Sequence, residues 1–490
     1  MGQIGGLVRR AAIHHGGRPC LVEGERIVSF RDFDRLTDRL GNGLLDSGLL
    51  PGDRVGVLLP NGIDCLVAYY ALAKAGLVRV SLNTRETDRD HRYKLADSQS
   101  RAVIHDGSFP DLGVERALST ADLAALSAAA TDTPCAMDRA LDAPYRLGYT
   151  GGTTGEAKAV TLTERGELAE LSAFLTDLVP GMGAEDRFLH AAPIAHASGA
   201  FFLPALARGA TSLVMAKFEP AAFIRLAVEA RASMTFLVPT MLAMILEEPE
   251  LETASLGLRR IAYGASPIAP STLARAEARF GRIFAQTYGQ AESPMVITCL
   301  PPEHHDRAGS CGRPFTCAEV GVMDESGALL PAGEIGEIVC RGPQTMAFYW
   351  NRPDATERAF RGGWLHTGDI GRMDEDGFFY LLDRKNDMLI SGGYNVYPRE
   401  VEDVLLGLDG VVEAAVIGLP DETWGDRVHA VVAGNGLDPA ALLVAARAKL
   451  AGYKAPKSLE VWDSLPKSAA NKILRREVKA RVLARMEALT

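Results

Sequence analysis

Nine residues, Thr150 to Lys158 (TGGTTGEAK), gather three glycines, three threonines and one lysine. Glycine lets backbone N–H groups turn inward with no Cβ in the way, the hydroxyls of Thr150, Thr153 and Thr154 add donors, and Lys158 supplies a cation. That is the equipment of a polyphosphate site. A β-favouring run, YRLGY, ends at Tyr149 just before it. Gly151, Gly152 and Gly155 with Lys158 three residues beyond fit neither the Walker spacing nor the dinucleotide fingerprint. On residue types alone the alternative is a Gly/Thr-rich surface turn. Other chemically able residues read plainly when taken singly: His196 as a core histidine, Tyr288 as a strand-end aromatic, Glu292 as a solvated acid, Thr367-Gly368-Asp369 as a turn, and Lys472 as a solvated charge near a basic C-terminus.

The elements that must position these residues follow from periodicity. Phe30, Phe33, Leu36, Leu40 and Leu44 recur at three and four, which predicts an amphipathic helix ended by Pro51-Gly52. Strands are expected at Arg54–Leu59, Ala102–His105, Phe188–Ala191, Ser212–Met215, Thr235–Val238, Arg260–Tyr263 and Ile283–Ala285, with helical patterns between them. Such alternation implies right-handed crossovers and mainly parallel sheets with helices outside. From Glu319 short strands such as EVGVM and EIGEIVCRG predict a small β-rich subdomain. Another change of texture at LLDRKNDMLI, followed by a helix at Arg399–Leu406 and further strands, predicts a small α+β domain. We expect residues 1–385 to form an N-terminal domain and 386–490 a C-terminal one.

Length and composition bound the rest. A chain of 490 residues is too long for one core, and 47% hydrophobic with 23% charged residues is an ordinary globular balance. A net charge of −10 with no basic block excludes a nucleic-acid surface, so any anionic substrate must be met by a local site. Seven cysteines without a C-x-x-C pair indicate neither a disulfide framework nor a zinc site, and point to a reducing compartment. The first residues lack the apolar core of a signal peptide, and no window reaches about 18 uninterrupted apolar residues. A cytoplasmic location is expected.

The 150–158 loop resembles the phosphate loop of the adenylate-forming superfamily, which includes acyl-CoA synthetases, and further matches follow in order over nearly the whole chain. Pro193-Ile194-Ala195-His196 with Gly199 resembles the segment bordering the acyl pocket, Tyr263-Gly264-Ala265-Ser266-Pro267 the turn beside adenine, and Thr287-Tyr288-Gly289-Gln290-Ala291-Glu292 the Y-G-x-T-E motif. Trp364-Leu365-His366-Thr367-Gly368-Asp369 is close to W-x-x-T-G-D, with Asp383-Arg384 fifteen residues on, and Leu465-Pro466-Lys467 to Lys472 and Arg475 resembles the terminal lysine motif. The resemblance implies an α/β fold: two mainly parallel αβ-layered sheets with a β-rich subdomain, and a small mobile α+β domain behind them.

By the same resemblance Thr150, Gly151, Gly152, Thr153, Thr154 and Lys158 hold phosphates, and Gly264, Ala265, Ser266, Thr287, Tyr288 and Gly289 surround adenine, with Tyr288 stacking on it. Asp369 and Arg384 take the ribose, Glu292 and Thr154 hold magnesium, and Lys472 bridges the attacking carboxylate and the α-phosphate. His196, a catalytic candidate with Lys472 and Glu292, borders the acyl pocket with Ala197, Ala200, Gly264 and Gly289. Asn386 is the hinge, and Gly393 walls the pantetheine tunnel, where any Cβ would obstruct the thiol. Departures from the family pattern are Gly151, Ala157, Ala159, Ala291, Asn386 and Asn471. The implied activity uses ATP, Mg2+ and coenzyme A: a fatty, aromatic or alicyclic acid becomes acyl-AMP and then a thioester. Alternatives are an acyl-AMP ligase loading a separate carrier protein, and a nucleotide-binding protein without turnover. No nucleic acid and no membrane span are expected, and a homodimer is permitted.

Overall fold

The computed structural model describes residues 3–108, 112–135, 137, 139–150, 157–385, 387–421, 423–467 and 473–487. The helix expected from Phe30 spans Phe30–Asp46. Ser29 caps it by accepting from the Asp32 N–H at 3.1 Å, and Phe30, Phe33, Leu40 and Leu44 are buried along one stripe. That stripe packs in one apolar cluster with the helix Ile63–Lys74 and the strand Arg54–Leu58.

Two sheets carry the N-terminal region. One has seven strands in the order Phe348–Tyr349, Ala159–Thr163, Pro144–Tyr149, Val78–Ser81, Arg54–Leu58, Ala102–His105 and Ala117–Ser119. Its five strands from Pro144–Tyr149 to Ala117–Ser119 pair in parallel, whereas Pro144–Tyr149 and Ala159–Thr163, which flank the glycine–threonine stretch in sequence, are antiparallel. The other sheet is built on parallel strands Thr211–Val214, Arg187–His190, Met234–Leu237, Arg260–Gly264 and Phe284–Gln290.

The β-rich portion is joined to this second sheet. Ser293–Leu300 and Ser310–Pro314 extend it antiparallel, and Ser310–Pro314 pairs with Phe379–Arg384, which is followed by Leu365–Met373, Ile335–Arg341 and Glu319–Met323. One hydrogen-bonded sheet of 13 strands therefore contains both the adenine-side motifs and the T-G-D turn.

From Leu389 onward the chain forms its own five-stranded sheet, centred on Val411–Asp421 and Gly425–Gly434. Period-two alternation gives it two cores. Ala414, Val416, Val428, Ala430 and Val432 face Val401, Leu405 and Leu442. Ala415, Ile417, Leu419, Val431 and Ala433 face Val478 and Val482 of the last helix, Arg475–Glu487.

Candidate active site

Several clusters hold the expected residues that the structure describes. In the first, the base of the 150–158 loop is closed by the Thr150 N–H on the Lys158 carbonyl (3.0 Å) and the Lys158 N–H on Thr150 Oγ1 (3.1 Å). Gly151, Gly152, Thr153 and Thr154 lie outside the described residues. Lys158 Nζ sits 4.5 Å from the ring centroid of Tyr349, whose hydroxyl donates to Glu292 Oε1 at 2.6 Å. Burial, then the Glu292 charge and this hydrogen bond, raise the Tyr349 phenol, so it remains a donor. Glu292 Oε2 accepts nothing from the described residues, and no group of three or more potential metal ligands occurs among them. A single carboxylate of this kind fits magnesium, which is commonly held by one or two carboxylates plus substrate phosphates.

In the second cluster the Tyr288 hydroxyl donates to Asp369 Oδ2 at 2.6 Å, and Arg384 Nε lies 3.2 Å from Asp369 Oδ1. Asp369 and Arg384 are cross-strand partners, and Tyr288 is only 9% exposed, in one apolar cluster with Tyr349, Val160 and Leu365. Burial and the Asp369 charge raise its phenol. The turn itself is held by Glu337, which accepts from the Gly368 N–H at 3.0 Å, and by Thr367, which donates to the Ile338 carbonyl and accepts from the Asp369 N–H. Gly368 needs its positive φ of 71° for that turn.

The adenine-side turn is adjacent in register: Gly264 pairs with Thr287. Backbone neighbours explain why Gly264 and Gly289 carry no side chain. A Cβ on Gly264 would lie 2.3 Å from the Thr287 carbonyl oxygen, and one on Gly289 2.4 Å from the Met295 nitrogen. Ala265, exposed at the turn, takes φ +69°, a left-handed conformation costing a non-glycine residue roughly 1–2 kcal/mol. Ser266, partly exposed, follows it.

His196 is exposed and precedes the short 3-10 helix Ala197–Phe201; Ala197 and Ala200 pack against the core around Phe201. Asn61 ties this segment to the other sheet, accepting from the Ile194 N–H at 2.7 Å and donating to the Ala192 and Met215 carbonyls.

Asn386, expected as the hinge, and Lys472 lie outside the described residues. Arg475, three residues after Lys472 in sequence, binds Asp383 Oδ1 (2.8 Å), Asp387 Oδ2 (3.0 Å) and both oxygens of Glu402. Asp383 also accepts from the N–H groups of Arg384 and Arg399. Gly393 has a backbone reason of its own. Its φ of +81°, in the turn between Leu389–Ser391 and Tyr394–Val396, demands glycine, and a Cβ there would meet nothing within 4 Å.

Lys158, the Glu292 motif and the Asp369 turn are thus brought together. Tyr349, Asn61, Glu337 and the Arg475 hub were missed, the one local signal being the aromatic triplet Phe348-Tyr349-Trp350.

A family model described as AMP-binding enzyme matches residues 8–350, and one for the AMP-binding enzyme C-terminal domain matches residues 400–472. The chain is 38% identical to a medium/long-chain-fatty-acid–CoA ligase of Mycobacterium tuberculosis, covering 97% of this chain and 90% of the relative. It is 37% identical to a feruloyl-CoA synthase of Amycolatopsis, over 96% and 95% of the two chains. Its fold is that of o-succinylbenzoate CoA synthetase from Bacillus subtilis, solved in complex with the acyl-adenylate intermediate. The TM-score is 0.89 at 31% identity, covering 96% of this chain and 97% of that one.

Proposed function

The chain belongs to the AMP-binding enzyme family, in the acyl-CoA synthetase branch of the adenylate-forming superfamily, and from that premise we propose that it converts a carboxylic acid to its acyl-CoA through acyl-AMP. The observation that supports this best is the linked row Lys158–Tyr349–Glu292 beside Tyr288–Asp369–Arg384. It groups an ammonium with two carboxylates, to which we assign the metal and the ribose.

In the first half-reaction a carboxylate oxygen attacks the α-phosphorus of ATP, the α–β P–O bond breaks, and pyrophosphate leaves. Two anions must meet, so positioning and cationic donors carry most of the catalysis. Lys158 and the 150–158 backbone hold the β- and γ-phosphates, Asp369 and Arg384 hold the ribose, and Lys472 bridges carboxylate and α-phosphate. Magnesium, when bound at Glu292, neutralises phosphate charge. In the second half-reaction a coenzyme A sulfur, having lost its proton, attacks the acyl carbon and AMP leaves. We assign residues 386–490 as the domain that turns about Asn386, withdrawing Lys472 and presenting Gly393.

No described helix is long and apolar enough to cross a membrane. All seven cysteines are free thiols, as the cytoplasm keeps them. The acid is fatty, aromatic or alicyclic.

Mass spectrometry of products from ATP, Mg2+, coenzyme A and a panel of carboxylic acids tests the assignment. We expect acyl-CoA, AMP and pyrophosphate in equal amounts. Accumulated acyl-AMP without thioester would make the protein a carrier-loading ligase, and bound ATP without turnover would make it a binder.

A further inference from the structure

Residues 346–350 strap the two N-terminal sheets together at the phosphate site. On one side the Ala347 and Trp350 N–H groups donate to the carbonyls of Thr161 (2.9 Å) and Ala159 (2.8 Å), on the strand that follows Lys158. On the other the Met346 N–H donates to the Glu292 carbonyl at 2.7 Å. Tyr349, 7% exposed, is in the middle, its ring under Lys158 and its hydroxyl on Glu292. Its own backbone is pinned, with its N–H on Thr356 Oγ1 at 3.0 Å and its carbonyl accepting from the Arg352 N–H at 3.1 Å.

This arrangement solves an electrostatic problem. A lysine and a glutamate this close can collapse into a direct ion pair, which would use up the cation a triphosphate needs and the carboxylate a metal needs. Among the described residues no ion pair within 4 Å joins Lys158 to Glu292. Tyrosine gives each a neutral partner: a π face for the ammonium and an O–H for the carboxylate.

We infer that Tyr349 is a positioning residue, resting on the adenylating reading above, that holds Lys158 and Glu292 apart and aimed, so that each keeps its charge for Mg2+–ATP. Two variants divide its work. Tyr349→Phe keeps the ring and removes the hydroxyl, and Tyr349→Leu removes both.

Calorimetry with β,γ-imido ATP, with and without Mg2+ and with no acid present, reads the effect apart from turnover. Tyr349→Phe should leave metal-free affinity within about twofold and lower the gain in affinity from Mg2+ by about tenfold, the scale of one hydrogen bond to a charged group. Tyr349→Leu should also lower metal-free affinity, since Lys158 then falls onto Glu292. In ATP–pyrophosphate exchange, Tyr349→Phe should need about tenfold more Mg2+ for half-maximal rate and recover kcat when Mg2+ is raised. A purely structural tyrosine would not show that rescue. On a Glu292→Gln background Tyr349→Phe should change nothing further. Unchanged Mg2+ dependence in Tyr349→Phe, with wild-type nucleotide binding intact, overturns the role of Tyr349 alone. A wild-type protein that binds no nucleotide overturns the adenylating reading together with it.

Discussion

The nucleotide wall and the hinge use charge in opposite ways. On the wall, Lys158 rests on a ring, Glu292 accepts a phenol, and Asp369 accepts a phenol as well as Arg384. Buried His190, at the end of the strand leading to the acyl segment, is bonded to the Ser198 carbonyl and to the Ser198 and Ser212 hydroxyls. At the hinge, Arg475 meets three carboxylates directly, and Asp383 joins the last strand before Asn386 to the helix Pro398–Leu406 and to Arg475. Lys158 and Glu292, which we assign to the triphosphate and its metal, keep neutral partners, whereas Arg475 is satisfied by carboxylates of the chain itself. Arg475 is three residues beyond Lys472, the lysine to which we assign the bridging role in adenylation.

Four experiments sharpen or break this contrast. Lys158→Ala should slow ATP–pyrophosphate exchange about 10²–10³-fold, equivalent to roughly 3–4 kcal/mol of transition-state stabilisation. It should move the urea midpoint very little, because its partner is an aromatic face worth about 0.5–1 kcal/mol at such sites. A large loss of stability would place Lys158 with the hinge residues.

His190 gives a pH test. Burial lowers it from 6.5 to about 4. Between those values the unfolded chain binds a proton that the folded chain refuses, so stability is full above about pH 6.5 and is lost as pH falls toward 4. The shift corresponds to about 3 kcal/mol at most. Urea titrations at pH 7.5 and 4.5 should show wild type losing about 2–3 kcal/mol that His190→Gln retains. Equal losses would mean that His190 is not held neutral.

Asp383→Ala should behave as the reverse of Lys158→Ala. It removes one of three acidic partners from Arg475 and an acceptor from the Arg399 N–H. Breaking a buried pair costs about 3–5 kcal/mol, and since Arg475 is one-fifth exposed and keeps two partners we expect about 2–3 kcal/mol in the urea midpoint. Nucleotide affinity should change less than twofold. Ala265→Gly should be the smallest effect, a gain of about 1 kcal/mol from relief of the positive φ, read as a raised midpoint.

The sequence made the wall's chemistry legible and concealed its supports. The three-and-four spacing from Phe30 and the strand at Ala102–His105 matched the elements found there, because period and burial are local properties. The loop at 150–158 and the motifs at 287–292 and 364–369 were readable as short strings. Tyr349 reaches Glu292 across 57 residues, Arg475 reaches Asp383 across 92, and Asn61 reaches Ile194 across 133. No spacing rule connects such positions. The glycines at 264, 289 and 393 show the same limit: a neighbouring carbonyl, a neighbouring nitrogen and a positive φ account for them, and none of these is visible in the string.

The most direct test is a crystal structure of the full chain with Mg2+ and β,γ-imido ATP. We predict a β- or γ-phosphate oxygen within about 3.2 Å of Lys158 Nζ, the metal on Glu292 and the ribose on Asp369. A triphosphate lodged elsewhere, with Lys158 and Glu292 both unengaged, would contradict the account.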